Sequence, residues 1–312
     1  MDAVRRVTEY LTQMRILCLA ALTLCAVHPL AGQDAASLAE ALRARIARDT
    51  AEVSLAYFDP VRRDSVLIDG LRRYHAASTM KVPVLIELSR RIDQGELAWD
   101  QPLLITNRFV SIVDGSAYQL DRADDSDSTM YTRTGSSAPL AELARLMIIR
   151  SSNLATNLLI TLLEPTRVNT TAHALGADSI RVLRGVEDQK AYDRGWNNTT
   201  TARDLAVLLL AVAQGRAAGP AASDSMIQML LGQEFNDGIP AGLPAGVRVA
   251  HKTGEITTLL HDAAIIYPPG RGPFVLVVLT RGLAKRVEAA QLTADLAGIV
   301  YGWATRRPDP HE

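Results

Sequence analysis

Strand patterns occur at the two ends of the chain, and helical patterns occupy its middle. VSLAYFD and DSVLIDG, within residues 53–70, alternate like the two strands of a hairpin, and DAAIIYPP and GPFVLVVLTRG, within residues 262–282, form an apolar pair around a PPGRG turn. Strand pairs so far apart can bury their apolar faces by joining one sheet that helices cover. This order predicts an α+β fold, with an antiparallel sheet flanked by helices and a separate all-α lobe.

The same pattern predicts where the chain divides. Residues 1–32 end in MRILCLAALTLCAVHPLAG, where an arginine precedes an apolar core and then small residues; this is the layout of a secretory signal and is too short to span a membrane. After the signal we expect an α/β domain from residues 33–82 and 217–307, and an all-α domain from residues 83–216. The mature protein is expected to be secreted or periplasmic.

Composition limits what this chain can bind. With 312 residues, 48% hydrophobic content and a formal net charge of -1, it can bury a large core but has no basic excess for nucleic acid. Both cysteines, Cys18 and Cys25, lie in the signal, and neither follows the small residues of a lipoprotein cleavage site. We therefore expect a soluble monomer without disulfides, without a cofactor and without a membrane anchor.

One strongly apolar helix begins with two polar groups that a buried helix does not need. In HAASTMKVPVLIEL, residues 75–88, Ser78 and Lys81 are three apart and share a helix face, so the hydroxyl and the amine come within hydrogen-bond reach. The helix start favours an anionic Ser78 oxygen, and desolvation lowers the pKa of Lys81, which suits a nucleophile beside a base. The pattern also fits a serine N-cap followed by a solvated lysine.

Two later triplets strengthen the first interpretation. They are Ser151-Ser152-Asn153, ahead of an apolar helical run, and Lys252-Thr253-Gly254, in a β-rich segment. With S-x-x-K, S-x-N and K-T-G in this order, the chain resembles the serine β-lactamase and penicillin-recognising family, and the class A branch most closely, over roughly residues 36–305. The resemblance implies a β-lactamase/D,D-peptidase-like fold with the active site in the cleft between the sheet and the helical lobe.

The resemblance assigns the catalytic roles. Ser78 attacks a carbonyl, and Lys81 takes its proton, directly or through Glu187 and a water. Ser151 relays a proton to the leaving nitrogen. The backbone N–H groups of Ser78 and Glu255 are expected to form the oxyanion hole.

The resemblance also assigns the substrate contacts. Asn153 is expected to hold the substrate amide. Lys252 and Thr253 are expected to attract a carboxylate of the substrate, with Gly254 completing the K-T-G motif. In the family's S-D-N motif the middle residue mainly holds the turn, and Ser152 stands there in this chain.

Class A enzymes usually add an arginine near the sheet edge that helps to bind the substrate carboxylate. At the positions that the resemblance suggests, this chain has Leu260 and Gly238, so that arginine is missing. Arg281, at the end of the next strand, and His251, before the K-T-G motif, are the candidates to replace it.

A polar, glycine-punctuated segment, residues 181–198, predicts a loop. In class A enzymes the equivalent loop carries a glutamate that activates the deacylating water, and Glu187, two residues beyond Arg184–Gly185, is the best match. Asp188 is a second candidate, and an exposed loop carboxylate is the other interpretation of Glu187. The family's asparagine four residues on is replaced by Ala191, which predicts slow turnover.

Two further groups of ionisable residues invite other chemistry. The acidic segment over residues 100–138 predicts a solvated loop, and cation binding is the alternative for its aspartates, although the EF-hand pattern is absent. Those aspartates are Asp121, Asp124, Asp125 and Asp127. His261 and Asp262 are adjacent on a strand, so we expect one core-facing and one outward residue rather than a dyad. The sequence has no three-histidine cluster, which argues against a metal-dependent β-lactamase.

We therefore expect a secreted serine β-lactamase that hydrolyses the β-lactam amide through a covalent acyl-enzyme on Ser78, with a small β-lactam or acyl compound as substrate. The alternatives are a serine esterase or D,D-peptidase of the same fold without efficient β-lactam turnover, and a non-catalytic penicillin-binding module. The acyl-enzyme lifetime separates the first two, because only a β-lactamase hydrolyses the ester quickly.

Overall fold

The computed structural model describes residues 31–306, and within this range the residues from Leu38 onward form one compact unit. Both cysteines and all but the last two residues of the predicted export signal lie outside the described residues. None of the helices within residues 31–306 has the length and apolar character needed to cross a bilayer. The division into an α/β domain and an all-α domain stays a prediction.

The secondary structure of residues 31–306 follows the predicted order. Its helices are α1 (Ala31–Ile46), α2 (Lys81–Asp93), α3 (Leu140–Ile149), α4 (Asn153–Leu163), α5 (Pro165–Ala174), α6 (Gln189–Asp193), α7 (Ala202–Ala213), α8 (Pro220–Leu231) and α9 (Arg286–Thr305). Its strands are β1 (Glu52–Asp59), β2 (Asp64–Ile68), β3 (Tyr74–His75), β4 (Pro102–Leu104), β5 (Phe109–Val110), β6 (Ala117–Tyr118), β7 (Ser137–Pro139), β8 (Thr199–Thr200), β9 (Arg248–Ile256), β10 (Leu259–Tyr267) and β11 (Phe274–Arg281).

Strands from both ends of the chain form one five-stranded sheet in the order β2-β1-β11-β10-β9, and each neighbouring pair is antiparallel. Ala56 of β1 lies opposite Val277 of β11, which in turn lies opposite Ala263 of β10. This pairing of the two chain ends confirms the predicted α+β fold. β9, which carries the K-T-G motif, is an edge strand of the sheet.

The central strands of the sheet are buried on both faces. Helix α7 packs against β1, β10 and β11, and helix α9 contacts β10 and β11. Along β11, Val275, Val277 and Leu279 belong to the main hydrophobic core, and the intervening Leu276 and Val278 are buried as well. Two covered faces explain why these strands are continuously apolar instead of alternating.

Burial of both faces corrects one prediction. One of His261 and Asp262 was expected to face outward, but both side chains are buried. His261 Nε2 lies 3.0 Å from the His75 carbonyl oxygen, whereas Asp262 Oδ1 lies 2.9 Å from His251 Nδ1. The two side chains point to opposite faces, as the pleat of a strand requires, so they do not form a dyad.

The acidic segment over residues 100–138 is less solvated than predicted. It contains the short strands β4 to β7, and Asp125 and Asp127 are buried. Asp127 Oδ1 accepts hydrogen bonds from Thr129 N–H (3.3 Å) and Thr129 Oγ1 (2.7 Å). The expectation of a solvated loop is therefore wrong for these two aspartates, because protein donors take the place of water around Asp125 and around one oxygen of Asp127.

Helix α2 carries the S-x-x-K motif into the protein interior. Its first nine residues are buried, and it contacts α3, α4, α5, α7 and α8. A helix covered on every side needs apolar residues all round, and Pro83 is tolerated because its missing N–H falls in the first turn. The fully buried Lys81 at the start of this helix therefore needs polar partners.

Candidate active site

Ser78 lies on a 3₁₀ turn, Ala77–Met80, that leads directly into α2. The N–H of Ala77 donates to His75 Nδ1 (3.0 Å). Burial lowers the pKa of His75 to about 4, so the ring stays neutral near pH 7 and Nδ1 remains an acceptor. His75 therefore fixes the position of the residue before Ser78. The Ser78 side chain lines a cavity of about 640 Å³.

Lys81 is fully buried, one helical turn after Ser78. Its Nζ donates to the Ser151 carbonyl oxygen (2.6 Å), to Ser151 Oγ (3.0 Å) and to Asn153 Oδ1 (3.1 Å). Among the described residues, these acceptors take all three donors of the charged amine, which is turned to Ser151 and Asn153 and not to Ser78. Burial lowers the pKa of Lys81 to about 7, so a neutral amine is accessible near pH 7.

Ser151 stands between two lysines. Lys252 is also fully buried, and its Nζ donates to Ser151 Oγ (3.1 Å) and to the Thr253 carbonyl oxygen (2.9 Å). Burial lowers the pKa of Lys252 well below its ordinary value, and the nearby charge of Lys81 lowers it further. Because the two amines occupy both lone pairs of the Ser151 hydroxyl, its own proton is available for donation to another acceptor.

Three positions of the site share a backbone conformation that residues other than glycine rarely adopt. The angle φ is 45° at Ala77, 57° at Ser151 and 61° at Glu187. Such strain persists only where surrounding contacts fix it, and it clusters at functional sites. It is found here next to the S-x-x-K motif, within the S-x-N motif and at the predicted loop glutamate.

The K-T-G motif lies on β9 where this edge strand passes the turn that carries Ser78. A Cβ atom on Gly254 would lie 3.1 Å from the backbone nitrogens of both Ser78 and Thr79. Glycine therefore favours this close approach, because a side chain here would push the strand and the turn apart by a few tenths of an ångström. Thr253 and Glu255, on either side of Gly254, share one face of the strand and line the cavity together with Ser78.

Asn153, the first residue of α4, links Lys81 to Glu187. Its Oδ1 accepts from Lys81 Nζ, and its Nδ2 donates to Glu187 Oε1 (3.0 Å). The second oxygen of Glu187 accepts the N–H of Asp121 (2.9 Å), and burial raises the pKa of this carboxyl group. Glu187 lines the cavity and is partly buried, in contrast to the exposed loop carboxylate of the alternative interpretation.

Asp188, the second candidate in this loop, is held by the protein itself. Its Oδ1 accepts from Ser111 Oγ (2.8 Å) and from Ala191 N–H (3.2 Å), and its Oδ2 accepts from Ile112 N–H (2.9 Å). These bonds cap the short helix α6 and tie the loop to residues 111–112. Asp188 also borders the cavity, but both of its oxygens serve these structural bonds, so the geometry favours Glu187 as the carboxylate that acts there.

The loop that carries Glu187 is anchored to α4. Asn157 Oδ1 accepts the N–H of Val186 (2.7 Å), and Asn157 Nδ2 donates to the Val186 carbonyl oxygen (3.0 Å). A Cβ atom on Gly185 would lie 2.7 Å from Asn157 Oδ1, so any larger residue would displace the Asn157 side chain from the loop. Sequence reasoning missed Asn157, for which the sequence offers only the weak signal of an amide in a mostly apolar helix.

Six of the nine predicted site residues line one cavity of about 640 Å³. Those that line it are Ser78, Ser151, Asn153, Glu187, Thr253 and Glu255. Lys81 and Lys252 reach the cavity through Ser151, and Gly254 abuts the Ser78 turn from β9. Within residues 31–306, no group of three or more His, Cys, Asp or Glu side chains is arranged to hold a metal ion.

An arginine that the sequence reasoning missed, Arg286, lines the cavity on the side of β9. It is the first residue of α9, and its Nε donates to both carboxylate oxygens of Glu255 (3.0 and 2.9 Å). Its Nη1 also pairs with Asp237. The position after a turn lysine gives no signal in the sequence, because α9 reaches the edge of β9 only in the folded protein.

The two predicted replacements for the missing family arginine lie elsewhere. Arg281 pairs with Glu52 (2.6 Å), and His251 is bonded to Asp262 (2.9 Å) and Asn236 (3.2 Å). Neither belongs to the lining of the cavity in the described part of the chain. Of the three candidates, Arg286 is therefore the one placed to meet a ligand there.

Comparisons with known proteins agree with this arrangement. A model of the family described as "Beta-lactamase enzyme family" matches residues 37–304. The extended-spectrum beta-lactamase PER-1 of Pseudomonas aeruginosa is 23% identical over 289 residues, which cover 86% of this chain and 88% of that protein.

Two solved structures show the same fold. The beta-lactamase from Sphaerobacter thermophilus DSM 20745 superimposes with a TM-score of 0.72 at 25% identity, covering 88% of this chain and 98% of that one. The L158E mutant of PBP-A, solved as an acyl-enzyme complex with penicillin G, gives a TM-score of 0.74 at 24% identity, covering 87% and 97%.

The fold and the family match define the class of protein, a serine hydrolase with the architecture of penicillin-recognising enzymes. Because the family match spans nearly all of the described residues, the chain belongs to the beta-lactamase enzyme family. It is a serine hydrolase of the class A β-lactamase-like kind, which confirms the resemblance stated from its motifs.

Proposed function

We propose that this protein is an exported β-lactamase that hydrolyses the β-lactam amide through a covalent acyl-enzyme on Ser78. One observation carries the proposal: two buried lysines, Lys81 and Lys252, both donate to Ser151 Oγ at the cavity that Ser78 lines. Burying two amines costs free energy of folding, so a protein that keeps them buried has a reason to do so. Acyl transfer provides one, because it needs both a base and a proton relay at this place. The PBP-A mutant of the same fold forms an acyl-enzyme with penicillin G.

In the acylation step Ser78 Oγ bonds to the carbonyl carbon, and its proton passes to Lys81. The charged amine of Lys81 has no lone pair and donates all three of its protons in hydrogen bonds. Only the neutral form can therefore accept the Ser78 proton. With a pKa of about 7, that form is well populated at neutral pH. This step requires the Lys81 amine to turn from Ser151 toward Ser78, and catalytic hydrogen bonds often form fully only when substrate binds.

The leaving nitrogen receives its proton through Ser151. Ser151 Oγ accepts from Lys81 on one side, so the proton taken from Ser78 can enter the relay as the Ser151 hydroxyl proton leaves toward the nitrogen. Lys252, on the other side of the same oxygen, stabilises negative charge that develops there during the transfer. Breaking the amide C–N bond then leaves the acyl group on Ser78.

The oxyanion of the tetrahedral intermediate is assigned to the N–H groups of Ser78 and Glu255. The close packing of Gly254 against the Ser78 turn supports this assignment, because it holds the β9 edge next to the Ser78 nitrogen. The removal of one such donor typically costs about 100- to 1000-fold in rate.

Glu187 is the proposed base for hydrolysis of the acyl-enzyme. Burial raises the pKa of its carboxyl group, which makes the carboxylate a better proton acceptor for the attacking water. Asn153 and the backbone of Asp121 hold one oxygen each. Ala191 provides no side-chain amide for the water, so we expect hydrolysis of the ester to be the slow step.

The substrate carboxylate is assigned to the Thr253 hydroxyl and the Lys252 amine, whose charged form a bound carboxylate would favour, with Arg286 at the rim of the same wall. Thr253 and Arg286 both line the cavity. Arg286 already forms ion pairs with Glu255 and Asp237. Its contribution to substrate binding therefore depends on whether the substrate carboxylate replaces these partners. Asn153 faces the same space and is assigned to the substrate amide.

The experiment that tests the proposal combines turnover with trapping. Purified protein is incubated with penicillin G and analysed by intact-mass and peptide spectrometry, and hydrolysis of a chromogenic cephalosporin is followed in parallel. We expect one acyl group on Ser78, multiple turnovers, and loss of both signals in Ser78→Ala. Hydrolysis without a label on Ser78, or a label on another residue, would refute the assignment.

A D,D-peptidase or esterase of the same fold is the second candidate, and the Ala191 position favours it. A loop that holds the water with fewer groups suits an enzyme whose acyl-enzyme with penicillin is long-lived. The acyl-enzyme lifetime decides between the two: release in seconds supports a β-lactamase, whereas a stable adduct together with hydrolysis of D-alanyl peptides or simple esters supports the second candidate.

A further inference from the structure

A carboxylate from a separate loop lies against the start of α4. Asp125 is buried, and both of its oxygens accept the N–H of Asn153 (3.0 and 2.9 Å). Its Oδ2 also accepts the N–H of Leu154 (2.9 Å) and the hydroxyl of Tyr131 (2.9 Å). Its Oδ1 accepts the N–H of Asp127 (3.0 Å). Asp125 therefore links the acidic segment to the first turn of α4.

The first N–H groups of a helix have no partners within the helix and must find acceptors elsewhere. In α4, the Ser152 hydroxyl accepts only the N–H of Ala155 (3.3 Å). The N–H groups of Asn153 and Leu154 are left for Asp125. A serine in the middle of the S-x-N motif is thus compensated by an aspartate 27 positions earlier, in a segment that composition marks as solvent-exposed.

Asp125 holds the backbone of Asn153, and the Asn153 side chain connects the proposed acylation base with the proposed deacylation base. The amide of Asn153 accepts from Lys81 and donates to Glu187. A shift of the first turn of α4 would move both contacts at once. Ser151, which precedes this turn by two residues, would move with it.

Asp125 also contributes charge to the site. The charged groups that face Lys81 are Asp125 from the acidic segment, Glu187 from the loop before α6, and Lys252 from β9. Burial lowers the pKa of Lys81, and the charges of Asp125 and Glu187 oppose that effect. Without Asp125, the amine would lose one of the two negative charges that keep its pKa near 7.

We propose that Asp125 is a positioning residue of this active site, which fixes the start of α4 beneath Asn153 and supplies negative charge to the surroundings of Lys81. The inference deepens the proposed function and rests on it for the catalytic consequence. The hydrogen bonds and the charge effect stand on the geometry alone, so they can be tested without any turnover.

The first measurement is the titration of Lys81 by NMR with lysine labelled with ¹³C at Cε. The chain has only four lysines, Lys81, Lys190, Lys252 and Lys285, so the signals can be assigned with single Lys→Arg variants. We expect the midpoint of Lys81 in Asp125→Asn to move down by about one pH unit from the wild-type value, since a carboxylate near an amine favours its charged form. An unchanged midpoint in a folded Asp125→Asn protein would overturn the charge effect.

Asp127→Asn is the matched control. Asp127 is a buried aspartate of the same segment, two residues away, but its hydrogen bonds go to Thr129 and not to α4. We expect Asp127→Asn to leave the Lys81 midpoint in place even if it lowers the melting temperature. An equal shift in both variants would show a general loosening of the segment and contradict a specific role for Asp125.

The second measurement is the pH profile of acylation by penicillin G. In Asp125→Asn we expect the rate at the optimum to fall by about 10- to 100-fold, the scale of losing hydrogen bonds to a charged group, and the acid limb to move to lower pH with Lys81. Asp125→Glu keeps the charge but not the geometry, so it should be slow with its acid limb near the wild-type position. If Asp125→Asn does not fold, Asp125→Glu still tests the positioning role. A wild-type acylation rate in Asp125→Glu would overturn that role.

The two proposals fail in different ways. A wild-type protein that forms no ester on Ser78 refutes the proposed function, while the NMR titration still decides on Asp125. A wild-type protein that is acylated, with the Asp125→Asn variant matching it in rate and in Lys81 midpoint, refutes only the role of Asp125.

Discussion

The two sides of the cavity are held with different strength. On the side that would form the acyl-enzyme, Lys81 and Lys252 are fully buried and share Ser151 through hydrogen bonds of 3.0 and 3.1 Å. On the side that would hydrolyse it, Glu187 is partly buried with one partner on each oxygen, and Ala191 has no polar group to offer a water. The difference indicates a site organised more tightly for making the ester than for breaking it.

Because the two sides lie on different elements, they can be changed independently. Ser78, Lys81 and Lys252 belong to the Ser78 turn, α2 and β9, whereas Glu187 belongs to the loop before α6. Asn153 on α4 is the contact between them. Substitutions on one side should therefore change one step of the reaction and leave the other nearly intact.

The largest effect is expected for the nucleophile. Ser78→Ala removes the attacking oxygen, so both acylation and turnover should fall by roughly 10⁴-fold or more. The measurement is the label on the protein after exposure to penicillin, together with kcat for a chromogenic cephalosporin. Ser126→Ala, at another serine that lines the cavity, is the matched control and should retain the label.

A loss of about 10²- to 10⁴-fold in acylation is expected for Lys81→Met, which removes the proposed base and keeps an unbranched side chain of similar length. In the wild type, Lys81 accepts a proton only above its pKa of about 7, so the acylation rate should fall as the pH drops below 7. The variant should lose this acid limb as well as the rate. A Lys81→Met protein with the wild-type pH profile would show that another group is the base.

On the other side of the cavity, Glu187→Gln keeps the shape and removes the base. Acylation should persist, while hydrolysis of the acyl-enzyme should slow by about 100-fold or more, the usual scale for a positioned base. Burst kinetics and intact-mass spectrometry separate the two steps. Glu234→Gln, at an exposed carboxylate paired with Arg150, serves as the control.

Equal slowing of both steps in Glu187→Gln would break the comparison between the two sides. It would show that Glu187 also serves acylation, through a water and Lys81. Release of the acyl group as fast as in the wild type would direct attention to Asp188 or to a mechanism that relies on Lys81 alone.

A smaller and substrate-dependent effect is expected for the carboxylate site. Lys252→Ala should raise KM and lower kcat/KM for substrates that bear a carboxylate, by about 10- to 100-fold, because a charge-assisted contact is lost. A neutral ester should be affected much less. Equal losses for both kinds of substrate would mean that Lys252 acts mainly through Ser151 and not on the substrate.

The smallest effect is expected for Arg286. Its ion pair with Glu255 is exposed, and such pairs contribute little, so Arg286→Ala should leave the melting temperature nearly unchanged. We expect KM for carboxylate-bearing substrates to rise a few-fold without loss of kcat. Arg281→Ala, which removes an arginine paired with Glu52 outside the cavity, should leave KM unchanged.

The sequence by itself predicted the elements and the groups that are proposed to react. Helix and strand periods are local properties, so the apolar α2 and the continuous apolar runs of β10 and β11 are visible in the chain. Ser78, Ser151 and Lys252 were predicted as site residues from short motifs, and the spacing within each motif is also a local property of the chain. The pairing of the two chain ends followed because apolar strands must share a covered sheet.

Only the tertiary structure decided which distant groups meet at the site. Asp125 reaches the start of α4 from a segment whose acidic composition predicts solvent, because backbone N–H groups there take the place of water. Arg286 reaches the rim of the cavity because α9 begins beside the edge strand, and Asp262 is buried because helices cover both faces of the sheet. Each of these contacts joins residues far apart in sequence, and no local period encodes such a contact. Burial and the choice of partner set their charges and pKa values, and both are properties of the folded chain.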